Sequence, residues 1–371
     1  MELAARAEQR LTRQAPEHRL WGLQLRHLDL TEQAFEALVR TRSDAVGACH
    51  AVQWVAIGAH GPTARLQCDG GVFYAKRYIG ATRPPASVAF THRVIRAMHA
   101  GGIAAPAPLA DAQGDDVLVF SSDLLALYPD CGGTSIADDD IDVEEARDVG
   151  TLLARIHVVG QSVPSSERPA GGLRIGTRLL RHPHADRAFE QLVVGHRDVA
   201  IALENHAWTT RVLSLIRATS RRLLDVLPRC PTTVVHGDFG PGNVLLREGQ
   251  PPAVIDWDLA DVDLAAWDLA RTIDRIAIRW PDRLGAPAEI RTNIVSALLD
   301  GYQSVRPLLS SERKAIPVLA AASRLDLDAS VLAMCAALEP EIIDPVMTRC
   351  LVRLSRAAAG CPELAVLMAS P

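Results

Sequence analysis

Four polar residues, His236, Asp238, Asn243 and Asp256, fall within the stretches VVHGDFGPGNVLL (234–246) and AVIDWD (253–258), each beside a short apolar run. A carboxylate held at the end of a strand can accept or orient the proton of an attacking hydroxyl. A carboxylate and an amide oxygen are hard donors of the kind Mg²⁺ prefers. An Asp or Asn on a loop is often only a turn device, because its side chain imitates a backbone turn. That reading covers Asp238 or Asn243 singly, but not the four residues together.

Two phosphoryl-transfer signatures overlap in HGDFG. In one, Asp238 ends an H-x-D catalytic loop. In the other it opens a D-F-G metal loop. The second assignment needs a base and an asparagine upstream, where Asp225 is the only carboxylate in RVLSLIRATSRRLLDVLPRC and no asparagine follows it five places on. The first needs an asparagine five residues after the base and a later metal-binding carboxylate. Asn243 and Asp256 supply both. Asp238 is therefore read as the catalytic base, with Asn243 and Asp256 as the metal-holding pair, and the D-F-G letters as coincidence.

With these residues in place, the chain resembles the aminoglycoside phosphotransferase and choline kinase superfamily, the small-molecule relatives of protein kinases. The resemblance spans roughly residues 50 to 300 and is strongest in VVHGDFGPGNVLL, AVIDWD and the following LADVDLAAWDLAR. LLARIH, ending at His157, looks like the family's helix before the catalytic region. The resemblance implies a protein-kinase-like fold, ATP and Mg²⁺ as cofactors, and supporting roles for His157 and Asp268. Asp258 and Asp261 are either supports of the site or solvated loop residues.

The nucleotide side is less complete. Lys76, in VFYAKRY, stands where a kinase lysine grips phosphates, and only it and Lys314 are lysines among the 39 basic residues. The loop IGAHGPT, with Gly58 and Gly61, would cover the phosphates, and LLALYPD would meet the adenine through its backbone. The family's glutamate partner for that lysine is missing. No carboxylate occurs from Gly70 to Ala110, and Thr91 or His92 stands about where it would be. No GxxxxGK[ST] run is present, which excludes a P-loop kinase.

These residues require elements to carry them. LTEQAFEALVRTR spaces Leu30, Phe35, Leu38 and Val39 along one helical face, within a helical extension over 1–45. VQWVAIG, ARLQC and VFYAKRY read as a three-strand meander with turn signals between them. SVAFTHRVIRAMHAGG reads as a helix closed by glycine, and DDVLVF and LLALYP as two more strands. Asp142 and Glu145 suit a helix start running to about His157. Further helices are expected near 173–195 and 205–227, then three short strands at TTVVHGD, NVLL and AVIDWD, then helix from about 263 onward. The expectation is an α+β, two-lobed fold. An N-lobe with a five-stranded antiparallel sheet occupies 46–128, and a larger helical C-lobe with the catalytic and metal loops occupies 129–371.

Composition bounds the function. At 371 residues the chain exceeds what one core usually serves. A net charge of −5 argues against non-specific nucleic-acid binding. No apolar run reaches membrane-spanning length, no signal peptide is recognisable, and seven scattered cysteines without a CxxC pair fit a reduced, cytoplasmic protein. The leading expectation is a phosphotransferase acting on a hydroxyl of a small molecule: an aminoglycoside, another sugar-containing antibiotic or an amino alcohol. The alternatives are a kinase of serine or threonine in a peptide or protein, and a nucleotide-binding pseudokinase. An acidic cluster in SRLDLDASVLAMCAALEPEIIDP, above all Asp326 and Asp328, is either a solvated surface or, as the family's aminoglycoside enzymes suggest, the recruiter of a cationic acceptor.

Overall fold

In the computed structural model of the chain, the described residues are 28–58, 61–78, 84–121, 123–136, 141–164, a few between 180 and 190, 209–224, 227–281, 286–335, 352–353 and 362–369. They fall into two compact units, the first ending at Gly132 and the second starting at Gly133. The architecture is α+β, with a five-stranded antiparallel sheet in the first unit and mainly helices in the second.

In the first unit, strands β1 (Cys49–Gly58), β2 (Gly61–Cys68) and β3 (Gly71–Tyr78) form the expected meander. Then come helix α2 (Pro85–Ala100) and strands β4 (Leu118–Phe120) and β5 (Asp123–Pro129), giving a sheet ordered β1-β2-β3-β5-β4. Alternation along the strands sorts side chains between two faces. Ala64, Leu66, Phe73, Ala75, Leu125 and Leu127 pack with Phe35 and Leu38 of helix α1 (Leu28–Arg40). Lys76 points to the other face with its register partners Thr63 and Ala126. The sequence expects helix throughout 1–45; residues 1–27 lie outside those described, and α1 spans Leu28–Arg40 within the rest.

The second unit opens with strand β6 (Thr134–Ser135) and helix α3 (Val143–Gly160). The start of α3 is a capping box. Asp142 accepts the N–H groups of Glu144 and Glu145 at 2.8 and 2.9 Å, and Glu145 accepts the Asp142 N–H at 2.9 Å. Three backbone donors at the helix start are satisfied in this way. Helix α4 (Thr209–Leu224) follows the expected pattern, whereas most of the helix expected near 173–195 lies outside the described residues.

Strands β7 (Thr232–Val235), β8 (Val244–Arg247) and β9 (Gln250–Val254) occur as expected, but they do not form one cluster. β8 and β9 pair with β6, while β7 pairs with β10 (Asp261–Leu264), a strand whose last two residues the sequence places in the following helix. Next come helices α5 (Ala265–Ala277), α6 (Thr292–Val305), α7 (Ser310–Cys335) and α8 (Pro362–Ala369). Helices α3 and α6 touch backbone to backbone. A β-carbon at Gly150 would lie 2.0 Å from Leu298 O, and one at Gly301 would lie 1.9 Å from Arg147 O. No non-glycine residue fits either position without separating the helices. No helix among the described residues is long and apolar enough to cross a membrane.

Candidate active site

β7 is a run of two threonines and two valines, buried from Thr233 onward. At its end the chain turns sharply through Gly237, whose φ of 79° favours glycine. The turn is held from below by Asp268, in the first turn of α5 and fully buried. Its carboxylate accepts the His236 N–H at 2.6 Å and the Gly237 N–H at 2.9 Å. His157 adds its Nε2 at 3.4 Å from the same carboxylate, and its Nδ1 lies 2.8 Å from the Tyr302 hydroxyl. Burial alone would raise the Asp268 carboxyl. The hydrogen bond and charge of His157, with the His236 N–H, outweigh it and hold the group below the ordinary carboxylate range. Asp268 and His157 thus brace the loop from within.

His236 joins two loops. Its Nε2 lies 2.9 Å from the Ile255 carbonyl, and a carbonyl can only accept, so Nε2 carries the proton. Nδ1 is then the acceptor for the Asp238 N–H at 3.2 Å. One buried ring therefore ties the residue before Asp256 to Asp238, while its face packs on Trp257 at 4.6 Å between ring centroids. A second tie runs through the backbone, where the Ile255 N–H donates to Asn243 O at 2.9 Å, extending the β8–β9 ladder by one step. Asn243 and Asp256 are thereby set at the ends of neighbouring strands.

Asp238 itself is partly exposed, and its carboxylate is met by donors on both oxygens. Asn243 Nδ2 donates to Oδ2 at 2.9 Å and to the Asp238 main-chain oxygen at 2.9 Å. Oδ1 accepts from Arg275 Nη1 at 2.5 Å and from Arg271 Nη2 at 3.3 Å. With the amide nitrogen of Asn243 spent on Asp238, its oxygen is the atom left for a cation. Asp256 is exposed and adopts φ 58°, ψ 64°, a left-handed conformation that aspartate tolerates better than most residues. Strain of this kind concentrates at functional positions. One carboxylate and one amide oxygen suit Mg²⁺, which usually takes few protein ligands and completes its shell with water and phosphate oxygens. Among the described residues no group of three or more His, Cys, Asp or Glu is arranged around a metal position.

Of the two less certain carboxylates, Asp258 is buried just after Asp256. Asp261 lies on β10 opposite Val235, and its own carboxylate accepts the Val262 N–H at 2.8 Å.

The two arginines are the functional candidates that the motif reading missed. Asp268, Arg271 and Arg275 are three and then four residues apart, so they share one face of α5. That spacing was visible in WDLARTIDR and is the signal that could have found them.

The expected acceptor cluster takes a different form. Asp326, on α7, is not on an open acidic surface. It is buried, and its carboxylate accepts from Arg271 Nη1 at 2.6 Å. Burial would lower the Arg271 guanidinium, but the charges of Asp326 and Asp238 raise it above its ordinary value. The side chain of Asp328 and all of Glu339, Glu341 and Asp344 lie outside the described residues.

In the first unit, Lys76 is partly buried on β3 with its Nζ 5.7 Å from the Tyr78 ring centroid. Gly58 and Gly61 are the closing pair of the β1–β2 hairpin. The position expected for a glutamate is answered by Thr91 and His92, both buried. His92 Nε2 lies 2.8 Å from the Tyr128 hydroxyl, which in turn meets the Tyr78 hydroxyl at 2.5 Å, and His92 Nδ1 lies 3.2 Å from Asp116. Helix α2 is thus pinned to β5 through a ring and a phenol, with no carboxylate of its own.

A family model described as "Phosphotransferase enzyme family" matches residues 52–308. The chain belongs to this family. It is a kinase-type phosphotransferase with a hydroxyl acceptor on a small molecule. The homoserine kinase of Gluconacetobacter diazotrophicus is 26% identical over 296 residues, covering 80% of this chain and 84% of its own. Among solved structures, an amicoumacin kinase in complex with AMP-PNP, Ca²⁺ and Ami matches with TM-score 0.62 at 15% identity, over 92% of this chain and 96% of that one. A microcompartment-associated aminopropanol kinase matches with TM-score 0.56 at 16% identity, over 85% and 95%. At those identities the structural matches show that this phosphotransferase has the protein-kinase-like fold.

Proposed function

We propose that the chain is an ATP- and Mg²⁺-dependent kinase that moves the γ-phosphoryl group to the hydroxyl of a small amino alcohol, a class that includes homoserine. The observation that supports it best is the Asp238–Asn243 pair, in which one amide group bridges the aspartate's main chain and carboxylate. A base and a metal ligand are so fixed in one bonded loop, as phosphoryl transfer by positioning requires. In this reading Asp238 orients the acceptor hydroxyl and takes its proton as the new O–P bond forms and the bond to the leaving ADP breaks. Asn243 and Asp256 would hold the cation, which neutralises phosphate charge when bound. Lys76 would grip the nucleotide phosphates beneath the hairpin of Gly58 and Gly61. Relatives named for homoserine, amicoumacin and aminopropanol favour a small-molecule acceptor over a peptide.

The test is release of ADP from MgATP with a panel of hydroxyl acceptors, coupled to detection of the phosphorylated product. Acceptor-dependent ADP release supports the reading. MgATP binding without turnover of any acceptor would leave the pseudokinase alternative in its place.

A further inference from the structure

We infer that Arg275 is the acceptor-reading residue of this site, and that the acceptor carries a carboxylate or similar anion a few bonds from the hydroxyl that is phosphorylated. The inference rests on the kinase reading above and specifies its substrate.

The two arginines at Asp238 are not equivalent. Arg271 is 3% exposed and anchored to Asp326 at 2.6 Å, so its charge is already balanced and its position fixed. Arg275 is 21% exposed, and the other twelve residues of α5 are buried. It donates to Asp238 Oδ1 and, at 3.4 Å, to the Asp238 main-chain oxygen. A carboxylate offers about four lone-pair positions. Arg271, Arg275 and Asn243 occupy three of those on Asp238. One position is left for the proton of an incoming hydroxyl, and Arg275, the more exposed of the two arginines, is the donor able to turn toward a second anion. Its withdrawal is favourable when another anion receives it.

The seat of Arg275 is also built into the loop. A β-carbon at Gly240 would lie 2.9 Å from Arg275 Nε, 3.0 Å from Cζ and 3.1 Å from Cδ. The guanidinium therefore lies against Gly240, and a β-carbon there would displace it. A planar guanidinium with a fork of donors matches a carboxylate geometrically, which an ammonium does not. Reach agrees as well. A hydroxyl bonded to Asp238 lies within about 6 Å of the Arg275 guanidinium, since both bond one carboxylate. Three intervening carbons, as between a γ-hydroxyl and an α-carboxylate, span roughly 4–5 Å. Asp326, the group expected to draw a cation, is engaged by Arg271 instead.

The experiment compares matched acceptors that differ only in the carboxylate: L-homoserine against 3-aminopropan-1-ol, and L-serine against ethanolamine. Initial-rate kcat/KM is measured with MgATP for the wild type, Arg275→Gln, Arg275→Lys and Gly240→Ala. The expected wild-type preference for the carboxylate-bearing member of at least one pair is tenfold or more. Arg275→Gln brings that ratio to within about threefold of unity, Arg275→Lys keeps part of it, and Gly240→Ala, which displaces the guanidinium, lowers it too. Thermal melting and MgATP calorimetry check folding; if Arg275→Gln is unfolded, Arg275→Lys and Gly240→Ala decide. An undiminished ratio in the folded variants overturns the inference. A wild type that turns over alcohols with no preference for the anion overturns it while leaving the kinase reading intact. A wild type that phosphorylates no alcohol overturns both.

Discussion

Asp268 Oδ2 accepts the main-chain N–H of His236 at 2.6 Å, and Oδ1 accepts that of Gly237 at 2.9 Å, in a fully buried setting. The turn that carries Asp238 is therefore shaped by a carboxylate with no exposed surface. Replacing it with alanine leaves two buried N–H donors and His157 without their acceptor. Asp268→Ala should cost roughly 2–5 kcal/mol of stability in urea unfolding. A loss under 1 kcal/mol would show that water or a neighbour substitutes for the carboxylate.

The same residue gives a pH dependence with a definite sign. Unfolded, an aspartate titrates near ~3.9. Folded, Asp268 is held lower, so in acid the unfolded chain takes the proton first. Its contribution is present above about pH 5 and drains as the pH falls through the folded value. Asp268→Asn should flatten the acid limb of stability against pH, measured by denaturant midpoints from about pH 5 to pH 3. An unchanged limb would assign acid lability elsewhere.

Asp238→Asn should fold and bind nucleotide normally but lose about 10²- to 10⁴-fold in kcat, the usual contribution of a positioned base. Turnover within a few-fold of wild type would mean that another group takes the proton.

For the cation pair, Asp256→Ala should weaken calorimetric MgATP binding more than Asn243→Ala, because a carboxylate gives a divalent ion more than an amide does. Asp256→Gly adds a sharper comparison. It relieves the left-handed strain at φ 58°, so it should match or exceed wild-type stability while losing MgATP affinity. Equal and mild affinity losses in all three variants would remove Asp256 from the metal site.

Asp326→Ala should behave as a core lesion. It removes the 2.6 Å partner of the buried Arg271 guanidinium and leaves Asp238 at 3.3 Å, and breaking one side of a buried pair typically costs about 3–5 kcal/mol. A variant of wild-type stability that lost only acceptor affinity would return Asp326 to the acceptor surface.

Local signals were the ones readable in the chain. The capping box at Asp142 and Glu145, the meander with its turns, and the five-residue interval from Asp238 to Asn243 each depend on neighbours in sequence. What could not be read depends on partners far apart. β7 bonds to β10 and bypasses β8 and β9, a pairing that a run such as DVDL does not announce. Its alternating carboxylates look like a loop until Val262 and Leu264 are seen buried. In the same way the LDLD of α7 looks solvent-facing until Arg271 is placed opposite Asp326. The positions of Arg271 and Arg275 on the Asp268 face were implied by their spacing, but the target of that face was not.

The glycine crossing of α3 and α6 reaches further than its size suggests. His157 stands two helical turns beyond Gly150, and Tyr302 directly follows Gly301, so the contact that aims the imidazole at Asp268 inherits its length from two absent methyl groups. Alanine at either crossing would wedge the helices apart and loosen the turn carrying Asp238, with every substrate-facing side chain unchanged. Such a variant would mimic a catalytic lesion in its kinetics while being, in origin, an error of spacing.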